Sequence, residues 1–496
     1  MIFLEGEIMI NVNLKNHDYE YDVTQLLLVF FNEIKFSLEK IDCEFYLENS
    51  IKIVGDDFIV ENKLYQNDVL IDDLIEKREN KSDIDLFIRN YHKRIIKYSM
   101  YKLLLKYKKA NGKWGILTGM RPVKVVHKYI DNGYLKEEIL EILKSEYLMS
   151  EDKANLIINI AYRERRFIYP IDNKRISIYL SIPFCITRCT YCSFPSNIYK
   201  KKKHLMEDYI KSLKYEINSV IDRVNEKGFV IDSIYFGGGT PSTLTVSEMN
   251  EIFLLLTKKI DMSTVLEFTF EAGRPDTITE EKLEIMKKFN VTRICLNPQT
   301  MDNGILKKVN RNHTREDILE KYEMIKKFNF NSLNMDLILG LPNQTMETYK
   351  KTLKIIKDLK PDNITIHSLS IKKGSNLKNT GYKFEDANLT GKLMEYSKEY
   401  LKDLYNPYYL YRQKNIIGNL ENVGFALEGK ESLYNIKIIE ERHTILAFGA
   451  GAVSKIAYEN SDRFDRVANL KGVEEYILRI DEMINRKLDA IENIIR

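Results

Sequence analysis

From about residue 176 to residue 403 the chain repeats one pattern six times: a short apolar strand, a loop, then an amphipathic helix. Strands are predicted over 176–182, 233–236, 265–271, 293–297, 333–339 and 363–369. Helical periodicity follows each in turn, over 205–226, 246–258, 279–289, 314–328, 346–359 and 388–403. Strands joined by helical crossovers lie parallel with right-handed connections. Six units fall two short of a closed eight-stranded barrel. The expected fold is therefore α/β, an open partial (β/α)6 barrel of the TIM type. A chain of 496 residues is too long for one core. The expected layout is an N-terminal α/β accessory domain over 1–165, the barrel over 170–385, and a smaller α/β domain over 386–496 that covers one mouth.

The flanking regions are read more coarsely. Strands are expected over 9–13 and 51–54, an amphipathic helix over 23–36 and a longer one over 84–107. The stretch Trp114-Gly-Ile-Leu-Thr-Gly-Met-Arg-Pro-Val-Lys124 reads as a loop that opens a helix near Pro122. Past the repeat, 405–412 is aromatic and strand-like, 447–454 is glycine-rich, and 470–496 reads as an amphipathic helix. With 44% hydrophobic and 30% charged residues the chain is globular. A net charge of +4 does not indicate nucleic acid as partner. No apolar run has membrane-spanning length, and a cytoplasmic protein is expected.

Ligands of barrel-like folds sit at the carboxyl ends of the strands, and the polar residues gather there. Cys185 follows the first strand and Gly237-Gly-Gly-Thr240 the second. Glu271 ends the third, Gln299 follows the fourth and Ser370 the sixth. Asp336 lies inside the fifth, where an unpaired carboxylate is costly.

Three of the five cysteines, Cys185, Cys189 and Cys192, are spaced C-x3-C-x2-C. A disulfide fits an odd, clustered set poorly. A zinc tetrahedron completed by His204 is open, as is a set of unrelated buried thiols. Ferredoxin-type clusters take a fourth protein thiolate. Three suit a cubane whose fourth iron stays open to a small chelating molecule. The spacing, together with the downstream segments of the chain, favours that reading. Cys295 lies on an apolar strand and reads as core.

The stretch Tyr179-Leu-Ser-Ile-Pro-Phe-Cys185-Ile-Thr-Arg-Cys189-Thr-Tyr-Cys192-Ser-Phe194 resembles the signature of radical S-adenosylmethionine (SAM) enzymes. More narrowly it resembles the oxygen-independent coproporphyrinogen III dehydrogenases, a family that includes HemN- and HemW-like proteins. The stretches 114–124, Tyr408-Tyr-Leu-Tyr-Arg-Gln-Lys-Asn415 and Leu420-Glu-Asn-Val-Gly-Phe425 resemble its HemZ-type branch. The resemblance implies a [4Fe-4S] cluster on Cys185, Cys189 and Cys192. It implies SAM contacts at Tyr179, Gly238, Gly239, Thr240, Glu271, Gln299, Arg311, Asp336, Ser370 and Val453. Asp336 is also read as a buried partner for Arg311.

The family reaction converts two propionates of coproporphyrinogen III to vinyls, giving protoporphyrinogen IX in anaerobic heme biosynthesis. The resemblance implies a tetrapyrrole substrate, an electron donor such as ferredoxin or flavodoxin, and a monomer. Arg121, Arg412 and Lys414 are candidates for the propionates, and the run Lys200 to Lys203 is read as a solvated loop or a further propionate contact. Two departures bear on activity. Phe194 stands where the best-characterised dehydrogenases carry a fourth cysteine. Tyr434-Asn-Ile-Lys-Ile-Ile439 stands where heme chaperones carry a histidine-led motif. Other SAM-dependent tetrapyrrole chemistry (ring opening or methylation) and heme carriage without turnover therefore stand as alternatives.

Overall fold

A computed structural model describes residues 9–31, 33–37, 43–80, 85–108, 113–372, 374–379, 382, 387–413, 416–458 and 464–494. The chain divides into two compact units, Met1–Ile158 and Asn159–Arg496.

In the first unit, strands β1 (Met9–Lys15), β2 (Glu33–Phe36), β3 (Phe45–Val54), β4 (Asp57–Gln66) and β5 (Val69–Glu79) form a sheet in the order β2-β1-β3-β4-β5. β1 is parallel to both its neighbours, while β3, β4 and β5 meander antiparallel. Asn67 and Asp68 turn β4 into β5 with φ of 47° and 65°, a left-handed pair that suits the twist of a two-residue hairpin. Helices Glu20–Leu27 and Asp85–Leu105 close the core through Val23, Leu26, Ile96, Met100 and Leu104, against Phe58, Val60 and Leu64. The helix expected over 23–36 ends at Leu27. Residues 33–36 instead pair with β1, Met9 opposite Glu33 and Val12 opposite Phe36. Their Glu-Ile-Lys-Phe alternation has the period of a strand, and pairing decides the conformation.

The second unit holds β6 (Arg175–Ile182), β7 (Phe184–Cys185), β8 (Asn197–Ile198), β9 (Val230–Gly238), β10 (Glu267–Gly273), β11 (Arg293–Leu296), β12 (Ser332–Leu339), β13 (Asn363–Ser368), β14 (Asn406–Tyr411), β15 (Asn422–Ala426), β16 (Ile445–Phe448), β17 (Val453–Ala457) and β18 (Phe464–Ala468). Strands β6, β9, β10, β11, β12 and β13 are neighbours in chain order, all parallel. This is the six-unit partial barrel. Four of its helices begin at threonines: Thr245, Thr279, Thr314 and Thr345 each accept a hydrogen bond from the first-turn backbone. The region after 386 supplies both outer margins of the same sheet: β15 and β14 run antiparallel beyond β13, and β16, β17 and β18 extend it beyond β6. Among the described residues no helix is long and apolar enough to cross a membrane.

A buried ion pair within the barrel ties that region to it by hydrogen bonds, beside the buried pairs Lys437–Asp232 and Lys487–Glu216. Arg293 and Glu267, 5% and 6% exposed, sit on adjacent strands with Nε 3.2 Å from Oε2. Glu267 also accepts from Ser432 Oγ and the backbone of Leu433 and Tyr434, so its carboxylate caps the helix Leu433–Glu440. Arg293 donates its remaining N–H groups to Ser332, Asn363 and the carbonyls of Lys430 and Glu431. Full satisfaction offsets the cost of burying both charges. Glu267→Ala or Arg293→Met leaves one charge unpaired and is expected to cost about 3–5 kcal/mol. Urea denaturation followed by circular dichroism checks this.

Candidate functional site

Alternate residues of the barrel strands face a single cavity of about 450 Å³. Tyr179 comes from β6, Tyr235 from β9, Thr269 and Glu271 from β10, Cys295 from β11, Asn334 and Asp336 from β12, and Thr365 and His367 from β13. The residues between them, such as Ile178, Phe236, Phe270, Ile294, Met335 and Ile366, are buried on the other face. The lumen is therefore polar inside an apolar shell.

Cys185, Cys189 and Cys192 all line this cavity. Burial pushes the Cys185 and Cys192 thiols up, and neighbouring sulfurs add to the shift. Among the described residues the three sulfurs do not converge to within 4.8 Å of one another. A single tetrahedral ion requires such convergence, and His204 is exposed. Other segments hold the loop by its backbone. Thr190 N donates to Val309 O, Leu377 N to Thr190 O, and Asn310 Nδ2 to Arg188 O.

The glycine stretch is shaped by proximity. A Cβ at Gly239 would fall 2.6 Å from Phe184 O and 3.0 Å from Cys185 Sγ. Gly238 has φ of 106°, which favours glycine. A Cβ at Gly237 would meet the Tyr179 and Tyr235 rings and Glu271 within 3.1 Å. Thr240 N donates to Phe184 O at 2.8 Å, and its hydroxyl lies 3.5 Å from Cys185 Sγ.

Two carboxylates share the lumen. Glu271 accepts from the Tyr235 hydroxyl. Burial pushes its pKa up to about 7, with Asp336 adding to the rise and Tyr235 and His367 opposing it. Asp336 goes the other way. Burial works to raise it, but His367, 3.7 Å away, together with Asn334 and Thr365, holds it below the usual range. Tyr411 extends this chain to His367 Nδ1 at 3.3 Å. Below them Tyr235 stacks on Tyr434 at 4.3 Å between centroids, with Tyr179 6.0 Å from Tyr235.

Arg311 is not paired with Asp336, which corrects the expectation. It is 5% exposed and donates to Tyr191 Oη at 3.0 Å, Asn297 O at 2.7 Å and Gly273 O at 3.5 Å. Its Nε has no hydrogen-bond partner among the described residues, and neither does Gln299 Oε1. Gln299 is itself held at φ of 67° by backbone bonds with Asp336 and Ile338. The resulting cavity holds three sulfurs, a glycine cradle, and unused donor and acceptor atoms. It fits a thiolate-held cluster with a polar small molecule beside it.

Of the expected contacts, Tyr179, Gly238, Gly239, Thr240, Glu271, Gln299, Arg311, Asp336 and Ser370 line the cavity. Val453 does not; it begins β17 and is 39% exposed. Arg412 is 4% exposed, does not line the cavity, and donates to Asn419 O at 3.4 Å. Arg121 lies in the first unit, and Lys414 lies outside the described residues. Cys295 is buried, as core was expected to be, but it also lines the cavity. Sequence reasoning missed Tyr191, Tyr235, Arg274 and His367. Tyr235 and His367 were findable, since they keep the strand period of two with Gly237 and Thr365.

A model of the Radical SAM superfamily matches residues 179–356. HemZ of Bacillus subtilis, an oxygen-independent coproporphyrinogen-III oxidase-like protein, is 38% identical over 409 residues, 81% of each chain. Heme chaperone HemW of Lactococcus lactis is 30% identical over 64% of this chain and 80% of its own. The solved structure of coproporphyrinogen III oxidase (HemN) from Escherichia coli, a radical SAM enzyme, superposes with a TM-score of 0.50. That match covers 65% of this chain and 73% of that one at 21% identity, and is a likeness of fold.

The raised carboxyl of Glu271 gives a pH signature. The fold favours its protonated form, so its cost is absent below about pH 4.5, grows towards pH 7 and is constant above. Stability of the metal-free protein should fall through that window. Glu271→Gln should flatten the fall, as measured by urea midpoints across pH. Identical wild-type and variant profiles would contradict the shift.

Proposed function

The chain belongs to the radical SAM family of oxygen-independent coproporphyrinogen-III oxidase-like proteins, and on that premise we propose that it is an oxygen-independent coproporphyrinogen III dehydrogenase. It takes two propionates of coproporphyrinogen III to the vinyls of protoporphyrinogen IX; each propionate loses one hydrogen atom to a 5′-deoxyadenosyl radical, one carbon dioxide, and one electron to a one-electron acceptor. The observation that carries this reading is the cavity shared by three cysteines, a glycine cradle and polar atoms without partners.

In this reading Cys185, Cys189 and Cys192 would hold a [4Fe-4S] cluster, with SAM bound beside it. Gly238, Gly239 and Thr240 would let the amino group of SAM approach the backbone closely. Glu271, once ionised, accepts from ribose hydroxyls. Gln299 Oε1 and Arg311 Nε offer an acceptor and a donor that the chain itself does not use. When bound, cluster and SAM supply a 5′-deoxyadenosyl radical able to remove a hydrogen β to a carboxylate. The chain shields that chemistry from water with the tyrosine stack and the capped helix Leu433–Glu440. A small one-electron donor such as ferredoxin or flavodoxin would supply the reducing electron.

A heme chaperone is the second reading, favoured by the similarity to HemW over most of that protein's length. Against it stands Tyr434, 6% exposed within the tyrosine stack, where the chaperones present a histidine-led motif. The reconstituted protein should be given SAM, dithionite and coproporphyrinogen without air. Formation of vinyl product together with 5′-deoxyadenosine is expected, and Cys189→Ala should reduce both to background. One heme bound per chain with no product would favour carriage instead.

A further inference from the structure

Arg274 is 4% exposed just past the end of β10, and neither the cysteine motif nor the proposed chemistry gives it a role. Its guanidinium is shared between two partners. Nε and Nη2 reach the two oxygens of Asp276 at 3.1 and 2.9 Å, a fork-to-fork pair. Nη1 donates to Thr187, to Oγ1 at 2.7 Å and to the carbonyl at 3.3 Å. Thr187 stands midway between Cys185 and Cys189, and its hydroxyl donates on to Asn310 O. The pair is polarised. Its cationic end faces the cysteine loop, and Asp276, with a quarter of its side chain exposed, is the more solvated end. Water screens the outer charge more than the inner one, so the loop feels a net positive field.

Three thiolates make a cluster in this loop anionic, and one-electron reduction adds a further negative charge. Net charge and hydrogen bonding around a cluster are the levers that set its potential. We propose that Arg274 is a positioning residue for the iron–sulfur cluster: through Thr187 it fixes the loop between Cys185 and Cys189 and turns the positive end of a buried ion pair towards the metal site. The proposal rests on the three-cysteine reading and requires no particular tetrapyrrole.

The test is an anaerobic redox titration of the reconstituted, SAM-free protein, read by electron paramagnetic resonance. Wild type comes first: a chain that takes up no iron–sulfide cluster would overturn the cysteine reading itself. Arg274→Gln should lower the ratio of reduced to oxidised cluster at a fixed potential about tenfold, equivalent to about 59 mV for one electron. Asp276→Asn should move the ratio the opposite way, and Arg274→Lys should restore it towards wild type. Thr187→Val should leave the potential in place but speed loss of iron to a chelator. An unmoved potential in Arg274→Gln, or shifts of the same sign in Arg274→Gln and Asp276→Asn, would overturn the proposal. If Arg274→Gln does not accumulate, Asp276→Asn decides alone: a raised potential supports the idea, and an unchanged or lowered one ends it.

Discussion

The close approach of Gly239 to Phe184 and Cys185 sets the position of the rest of the lumen. The first loop after the barrel's opening strand has little secondary structure of its own, so its course is dictated from outside. Gly239 N bonds Ile182 O and Thr240 N bonds Phe184 O, which lays the second loop directly on the first. Only a residue without a Cβ allows that distance. From the other side, Val309, Asn310 and Leu377 bond three further backbone groups of the loop. The sulfurs are thus presented by a surface built from distant parts of the chain, and this rigidity is what a metal site needs.

The lumen behind the loop works through unequal environments. Glu271 and Asp336 line one cavity, yet burial drives one towards neutrality while His367 keeps the other charged. Separating two carboxyl groups in this way gives one cavity both a titratable group and a fixed charge. Buried arginines answer them at different depths. Arg293 anchors the base of the barrel, while Arg274 and Arg311 each bond a residue lying between cysteines, Thr187 and Tyr191. His313, 5% exposed and near both of the latter, has its pKa driven down to about 3 by burial and by their positive charges. It therefore adds no third cation.

Much of this was legible in the sequence because the second unit obeys local rules. Its strands alternate polar and apolar residues, its helices keep an apolar face at helical spacing, and its functional residues gather towards strand ends. The six strands and six helices fall within a few residues of their expected limits. The first unit was less legible, since residues 33–36 take their conformation from β1, a partner that periodicity alone does not reveal. Within the site, residue types and positions were readable but pairings were not. Arg311 and Asp336 invited a salt bridge, yet strand geometry turns one to Tyr191 and the other to His367. Arg274 carried no signal, because its role depends on Thr187, 87 positions earlier in the chain.

The central claim is that one iron has no protein ligand and takes SAM directly. Hyperfine spectroscopy of the reduced cluster with SAM labelled at the amino nitrogen and carboxylate oxygen measures that bond. The account predicts coupling from both labels to the cluster's unpaired electron. A fully formed four-iron cluster showing no coupling to either label would contradict it.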